Sequence, residues 1–163
     1  MTKELHLDSQ DVAAYITKIC AHKNFFINLT KLQKLMYAVY GAVLAVSDTR
    51  ICEEHPKAWQ HGPVFPRVYN FTKKHQFDMI DAMLRKEESV KDYLDKTQIE
   101  VIDGVIDFFG RCTAGQLVTW SHHPNGAWYK CTDGGKNLHS EIPDVAIVEY
   151  FSKIIKIPTD EKE

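Results

Sequence analysis

The sequence predicts a mainly α fold, a compact single-domain arrangement of helices around one buried central helix, with room for a small two-stranded β ribbon. Three observations predict it. Helix-capping patterns precede apolar residues at helical spacing several times along the 163 residues. The run from Leu35 to Val46 is apolar all round, which is typical of a helix buried on every side. The 6 prolines and 8 glycines are too few for many short strands and tight turns.

Composition is that of a globular protein. Hydrophobic residues make up 44% of the chain, charged residues 26%, and the formal net charge is −2. We expect one domain over residues 1–163, with an ordered core at about 5–157. The acidic balance argues against nucleic acid as a partner. The first residues contain no apolar leader, and no run reaches the roughly 20 residues that cross a bilayer, so a cytoplasmic protein without a membrane partner is expected.

The first two helices are predicted from their caps. Asp8 or Ser9 begins a helix that ends near Asn24. Thr30 and Gln33 have the spacing of a capping box, which predicts that the central helix begins at Thr30. The apolar residues at helical spacing are Val12, Ala13, Ile16, Ile19 and Cys20 in the first helix and Leu35, Met36, Tyr37, Val39, Tyr40, Val43 and Leu44 in the second.

From Thr49 to Phe65 the helical spacing disappears, because prolines and a glycine interrupt the chain. A short extended or hairpin-like stretch is predicted around Lys57 to Gln60. Pro66 suits the first position of a short helix. The segment from Lys73 to Lys96 is polar and mixed in charge, with one apolar cluster formed by Met79, Ile80, Met83 and Leu84.

Three more helices follow. Asp95 with Gln98, and Thr113 with Gln116, repeat the capping-box spacing, and Gly110 ends the first of these helices. A turn is expected at residues 124–126. The last helix is predicted to begin near Pro143 and to bury Val145, Val148, Phe151, Ile154 and Ile155.

Two segments carry residues typical of binding surfaces. In the first, Gly62 before Pro63 predicts a stiff corner with a positive φ, followed by a helix. The second, from Leu117 to Trp128, places His122 at the C-terminus of a predicted helix. Together they present aromatic and basic side chains of the kind found at binding hot spots. The alternative is that the aromatic residues simply fix these loops onto the core.

Metal binding and catalysis have weaker support. Cys52 with His55, and His122-His123 with Cys131, are loose pairs rather than the two tight knuckles of structural zinc sites, so no metal or other cofactor is expected. No nucleophile elbow and no phosphate-binding glycine loop is present, so an enzyme with catalytic residues is not expected. Two alternatives remain open: a small hydrolase-like enzyme using His122 in a pocket, and a DNA-binding autoregulator.

The sequence resembles the Panacea-domain family, which comprises SocA-like antitoxins, also described as phage-associated or GepA-like proteins. The block from Ala58 to Tyr69, with its Trp-x-His-Gly-Pro-Val-x-Pro pattern, is the specific part of the resemblance. The other matching stretches are Leu32 to Tyr37, Leu117 to His122, Trp128, and Val148 to Phe151.

The resemblance implies a bacterial antitoxin that binds a cognate protein toxin and that, in the SocA branch, also acts as an adaptor for a ClpXP-type protease. We expect the partner-binding residues to be Trp59, His61, Arg67, Tyr69, His122 and Trp128. We expect the supporting motif to be Gly62, Pro63, Val64 and Pro66. The corner from Trp59 to Tyr69 and the turn from His122 to Trp128 are predicted to form one contiguous recognition surface. The segment from Asp78 to Lys96 is either variable filler or a specificity surface.

Overall fold

The computed structural model describes residues 1–75 and 90–155. The predicted apolar cluster at 79–84, and most of the segment proposed as a specificity surface, lie outside these ranges. The described residues form seven α-helices and two two-stranded sheets, which confirms the mainly α fold. In chain order the elements are β1 (Lys3–Leu7), α1 (Ser9–His22), α2 (Leu29–Ser47), β2 (Thr49–Cys52), β3 (Lys57–Trp59), β4 (Gly62–Val64), α3 (Pro66–His75), α4 (Lys96–Phe109), α5 (Ala114–Ser121), α6 (Ala127–Thr132) and α7 (Asp144–Ile154).

Helix α2 is the predicted central helix. Every residue from 31 to 44 is buried, and α2 contacts α1, α3, α4, α5 and α7. Gly41 permits the crossing with α7, because a Cβ at this position would lie 2.1 Å from the ring of Phe151. The neighbouring helices therefore form a layer around α2, and the main apolar core lies along its length.

The beginning of α2 differs from the prediction. The N-cap is Asn28, whose side-chain oxygen accepts from the Lys31 amide N–H at 2.8 Å, so the helix begins at Leu29. Thr30 is already inside the first turn, and the predicted capping box with Gln33 is wrong. Asn28 adopts the extended conformation of an N-cap, and Gln33 is engaged elsewhere.

The other caps agree with the sequence. Asp8 caps α1, and complete capping boxes formed by Asp95 with Gln98 and by Thr113 with Gln116 begin α4 and α5. Helix α3 begins at Pro66, as predicted. Helix α6 was not predicted; it follows the expected turn, and its six residues are too few to show a helical period.

The last helix buries a different face from the predicted one. In α7 the buried residues are Ile147 and Phe151, one helical turn apart and facing α2. Val145 is 81% exposed and Ile154 is 41% exposed, so the expectation that both are buried is wrong. The apolar residues of α7 occupy more than one face, and only packing against α2 decides which face is covered.

Two small sheets flank α2. Strands β3 and β4 form the predicted hairpin, with Lys57 opposite Val64 and Trp59 opposite Gly62. The stretch at residues 139–142 lies along the other side of β3: His139 donates its backbone N–H to the Ala58 carbonyl at 2.7 Å. The parallel pair β1–β2 was not predicted.

In the parts of the chain that the structure describes, no helix combines the length and apolar character needed to span a bilayer.

Candidate functional site

A rigid corner joins β3 to β4. Gly62 has a φ of +113°, as the prediction of a positive φ required, and side chains with a Cβ rarely adopt this conformation. A Cβ there would also lie 2.5 Å from Ser121 Oγ and 2.8 Å from Lys34 Cε. Gly62 and Pro63 are both buried, so the corner is packed tightly against α2 and α5.

Gln33 of α2 holds the end of the hairpin. Its amide nitrogen donates to the Phe65 carbonyl at 3.3 Å, and its amide oxygen accepts from the Phe65 N–H at 2.7 Å. The Gln33 side chain thus pairs with Phe65 as a neighbouring strand would. Both backbone polar groups of the buried Phe65 are thereby hydrogen-bonded. The spacing from Thr30 predicts a helix-capping role for Gln33, so this contact with Phe65 was not predicted.

Lys34 lies beneath the corner. It is 2% exposed, and its ammonium group donates to the Pro63 carbonyl at 3.2 Å. Burial lowers the pKa of Lys34 from 10.5 to about 8, because the charged form is poorly solvated there. Lys34 is not among the predicted binding residues; the signal in the sequence is a lysine directly before the apolar run from Leu35 to Val46.

His122 and Trp128 support the hairpin from behind. The Trp128 indole N–H donates to the Trp59 carbonyl at 2.8 Å, and His122 Nε2 lies 3.0 Å from the Gln60 carbonyl oxygen. Their rings meet edge-on with centroids 4.1 Å apart. Trp128 is only 4% exposed, which favours the alternative that it belongs to the core. As the domain is folded, Trp128 offers a partner almost no surface.

Arg67 points away from the other predicted residues. Its guanidinium forms a two-point contact with the Asp8 carboxylate, at 2.9 and 2.8 Å, and its backbone N–H donates to Glu54 at 2.7 Å. Glu54 also accepts from the Ser9 hydroxyl at 2.6 Å. Arg67 therefore ties the start of α3 to the start of α1, and the structure does not bring it together with Trp59, His61 and Tyr69.

The remaining predicted residues surround a cavity. Trp59 and Tyr69 meet edge to face with ring centroids 5.0 Å apart, and His61 is exposed beside them. The cavity has a volume of about 330 Å³. The residues that line it are Leu29, Thr30, Gln33, Lys34, Trp59, Gln60, His61, Val64, Tyr69, Thr72 and His139.

The predicted binding residues thus have two different roles in the structure. Trp59, His61 and Tyr69 line the cavity, whereas His122 and Trp128 hold the backbone that presents them. The predicted supporting residues Gly62, Pro63 and Val64 are buried in the hairpin, and Pro66 begins the helix that carries Tyr69. His139 enters the cavity through the stretch paired with β3, a long-range contact that the sequence does not signal.

Among the described residues, no three or more His, Cys, Asp or Glu side chains are grouped so that they could hold a metal ion. The Cys52 thiol donates to the Glu54 carbonyl at 3.4 Å. Burial raises the pKa values of Cys52 and Cys20, which keeps both thiols protonated and unreactive at neutral pH.

Comparison with known proteins places these features in a family. Residues 32–129, which contain the hairpin, Lys34 and the supporting His122 and Trp128, match the family described as "Antitoxin SocA-like, Panacea domain". The chain is also similar to "Antitoxin SocA" of Caulobacter vibrioides (strain NA1000 / CB15N), with 30% identity over 140 residues, covering 81% of this chain and 74% of that protein. No solved structure matches. The chain therefore belongs to the Panacea-domain family of SocA-like antitoxins.

Proposed function

We propose that this protein is an antitoxin that neutralises a cognate protein toxin by binding it directly, with the face around the cavity as the contact surface. The observation that carries the proposal is the hairpin that presents Trp59 and His61. Its backbone is held by Gln33 and Lys34 of α2, by His122 directly after α5, and by Trp128 of α6. Because this surface is already ordered, binding would lose little conformational entropy there.

Aromatic side chains give the surface its binding capacity. Trp59 and Tyr69 are half-buried and in contact with one another, so each exposes a fixed part of its ring. Rigid aromatic anchors of this kind dominate many protein interfaces, where loss of one can cost about 2–4 kcal/mol. His61 and Gln60, both exposed, supply polar groups at the rim.

We propose binding rather than catalysis because of the surroundings of His122. Its two ring nitrogens lie 2.7 Å from the Val118 carbonyl oxygen and 3.0 Å from the Gln60 carbonyl oxygen. Both ring nitrogens thus face backbone carbonyl oxygens, and neither is directed at a position where a substrate could bind. The enzyme alternative would need the His122 ring to leave at least one of these carbonyl groups.

The experiment is co-expression with the product of the adjacent gene, scored as rescue of bacterial growth. Wild type is expected to rescue growth and Tyr69→Ala to lose most of the rescue. Phe108→Ala is the matched control, since Phe108 is an aromatic residue that is 66% exposed on α4 and does not line the cavity, so this variant should rescue like wild type. Melting curves of all three confirm that they are folded. Equal rescue by Tyr69→Ala and wild type would place the contact surface elsewhere.

The same cells report on the proteolytic-adaptor role, which we propose as a second step after binding. If the antitoxin also delivers the toxin to a ClpXP-type protease, the half-life of the toxin shortens when the antitoxin is present and recovers when the protease is deleted. An unchanged half-life with full growth rescue would leave sequestration as the whole mechanism.

A further inference from the structure

The cavity beside the hairpin has a basic and apolar lining. Its lining includes Lys34, His61 and His139 as basic residues, and none of the lining residues in the described parts of the chain is acidic. The rest of the wall is largely apolar and aromatic, including Leu29, Trp59 and Tyr69. Such a combination suits a ligand that carries a negative charge next to an apolar group.

The two buried lysines of α2 differ in the number of hydrogen bonds that their ammonium groups make to the described residues. Lys31, one turn earlier, is 4% exposed, and its ammonium group donates to the carbonyl groups of Phe26 and Gly110 at 2.7 and 2.6 Å. Lys34 is equally buried but has a single partner in the described residues, the Pro63 carbonyl at 3.2 Å. An ammonium group has three N–H donors, so Lys34 retains donors that no described residue accepts.

Burial of Lys34 is costly because the described residues supply no counterion. A buried charge is stable when it is paired and fully hydrogen-bonded, and no carboxylate forms an ion pair with Lys34 among the described residues. The lowered pKa of about 8 reflects this cost, although it still leaves the side chain mostly protonated at neutral pH. An anion in the cavity would supply the missing partner.

The first turn of α2 adds to the positive potential. Leu29 and Thr30 line the cavity, and the first turn contains no acidic residue. The 19-residue helix directs the positive end of its dipole toward this turn. The helix end alone would define no site, but here it lies beside a buried lysine that has no counterion among residues 1–75 and 90–155.

We propose that this cavity binds a carboxylate attached to a flat or apolar group, with the carboxylate at Lys34 and the apolar part against Trp59 and Tyr69. A carboxylate fits better than a phosphate, because the cavity offers one buried cation and no arginine, whereas phosphates favour several donors or a guanidinium fork. A volume of about 330 Å³ accommodates one side chain or a small molecule.

The carboxylate can come from two sources. One is an acidic side chain or C-terminus of the toxin, in which case the inference rests on the proposed function. The other is a free small carboxylate, which would bind whether or not the protein is an antitoxin. Both sources use the same chemistry, so the first experiment tests the chemistry without a toxin.

The probes are phenylacetate, its neutral isostere phenylacetamide, and inorganic phosphate, each titrated into the full-length protein and followed by tryptophan fluorescence and calorimetry. We expect phenylacetate to bind at least tenfold more tightly than either other probe. Equal binding of phenylacetate and phenylacetamide, or tighter binding of phosphate, would overturn the proposal. This comparison uses the wild-type protein alone, so it does not depend on the folding of any variant.

Lys34→Met tests the assigned cation. Methionine keeps the length of the buried stem and removes the charge, so the preference for phenylacetate over phenylacetamide should fall at least tenfold. Lys130→Met is the matched control: Lys130 is 45% exposed on α6, pairs with Glu149, and does not line the cavity. A preference retained in Lys34→Met, or lost in Lys130→Met, would overturn the assignment.

Competition then distinguishes the two sources. If the toxin supplies the carboxylate, saturating phenylacetate should weaken the toxin complex at least tenfold in wild type and leave it unchanged in Lys34→Met. If the carboxylate is a free ligand, phenylacetate binds and the toxin complex keeps its affinity. Absence of any toxin complex refutes the proposed function, and absence of phenylacetate binding refutes this inference, so the two failures are distinguishable.

Discussion

At the scale of single residues, the buried Lys34 makes stability depend on pH. Its pKa falls from 10.5 in the unfolded chain to about 8 in the folded one, so the unfolded chain binds more protons between these values. The free energy of unfolding contributed by Lys34 therefore rises with pH across this window, by roughly 3 kcal/mol in total. Below pH 8 the buried charge destabilises the fold by the full amount.

Lys34→Met removes this dependence. We expect the variant to be more stable than wild type at pH 7, and the difference to shrink by about 1 kcal/mol between pH 7 and pH 9. Urea unfolding at both pH values measures it. Burial raises the pKa of Cys20 to about 11, which makes stability fall above pH 9, but both proteins carry this thiol and the comparison cancels it. A difference independent of pH would show that Lys34 is not buried as a cation.

Gly62 should tolerate no larger residue. Gly62→Val combines a φ of +113° with a Cβ 2.5 Å from Ser121 Oγ, so we expect a loss of at least about 1–3 kcal/mol and a melting temperature lower by several degrees. His61→Ala is the control from the neighbouring, exposed position and should melt close to wild type. The opposite ranking in thermal melts would mean that the hairpin corner is not rigid.

Substitution of Trp128 is expected to lower the stability of the fold rather than to affect toxin binding directly. Because the ring is 4% exposed and its N–H holds the Trp59 carbonyl, Trp128→Ala should lose about 3–5 kcal/mol. Trp128→Phe, which keeps most of the apolar contact and loses the hydrogen bond, should lose less. Chemical unfolding measures both. A normally stable Trp128→Ala protein would restore the hypothesis that this residue is a surface anchor.

At the scale of elements, the caps explain which helix boundaries were predictable. Asp95 and Thr113 satisfy a local rule with their own N3 residues, and the structure shows both capping boxes. The same spacing at Thr30 gave a wrong prediction of the N-cap, because Gln33 hydrogen-bonds to Phe65, 32 positions away in the chain. Local spacing identifies a cap only when the second residue is not required by a distant partner.

A pair of substitutions tests the corrected cap. Asn28→Ala removes the acceptor for the Lys31 N–H, so we expect a loss of about 0.5–2 kcal/mol. Thr30→Ala, at an exposed position of the first turn, should change stability little. Differential scanning calorimetry measures the loss of stability in both variants. A larger loss in Thr30→Ala than in Asn28→Ala would show that Thr30 is the N-cap.

At the scale of the whole molecule, the fold class and the hairpin could be predicted because they depend on local patterns. An all-round apolar run gives a buried α2, and Gly62 before Pro63 gives a corner. The parallel pairing of β1 with β2 could not be predicted, since it joins segments about 45 residues apart without a hairpin turn.

The candidate site was predicted only in part for the same reason. Trp59, His61 and Tyr69 lie within one segment and emerged as one surface. Packing between distant segments decides whether Trp128 is a surface residue or part of the core. It also brings Lys34 and His139 to the cavity. Residue type shows that an aromatic or basic side chain is suited to binding, but burial decides whether it is available.

Calorimetric titration of the purified toxin into this protein tests whether the cavity face is the contact surface. We expect wild type and Phe108→Ala to form the same stoichiometric complex, and Tyr69→Ala to bind about 30-fold more weakly, which corresponds to roughly 2 kcal/mol. Absence of a complex with wild type, or equal affinity of Tyr69→Ala and wild type with both proteins folded, would show that the cavity face does not bind the toxin.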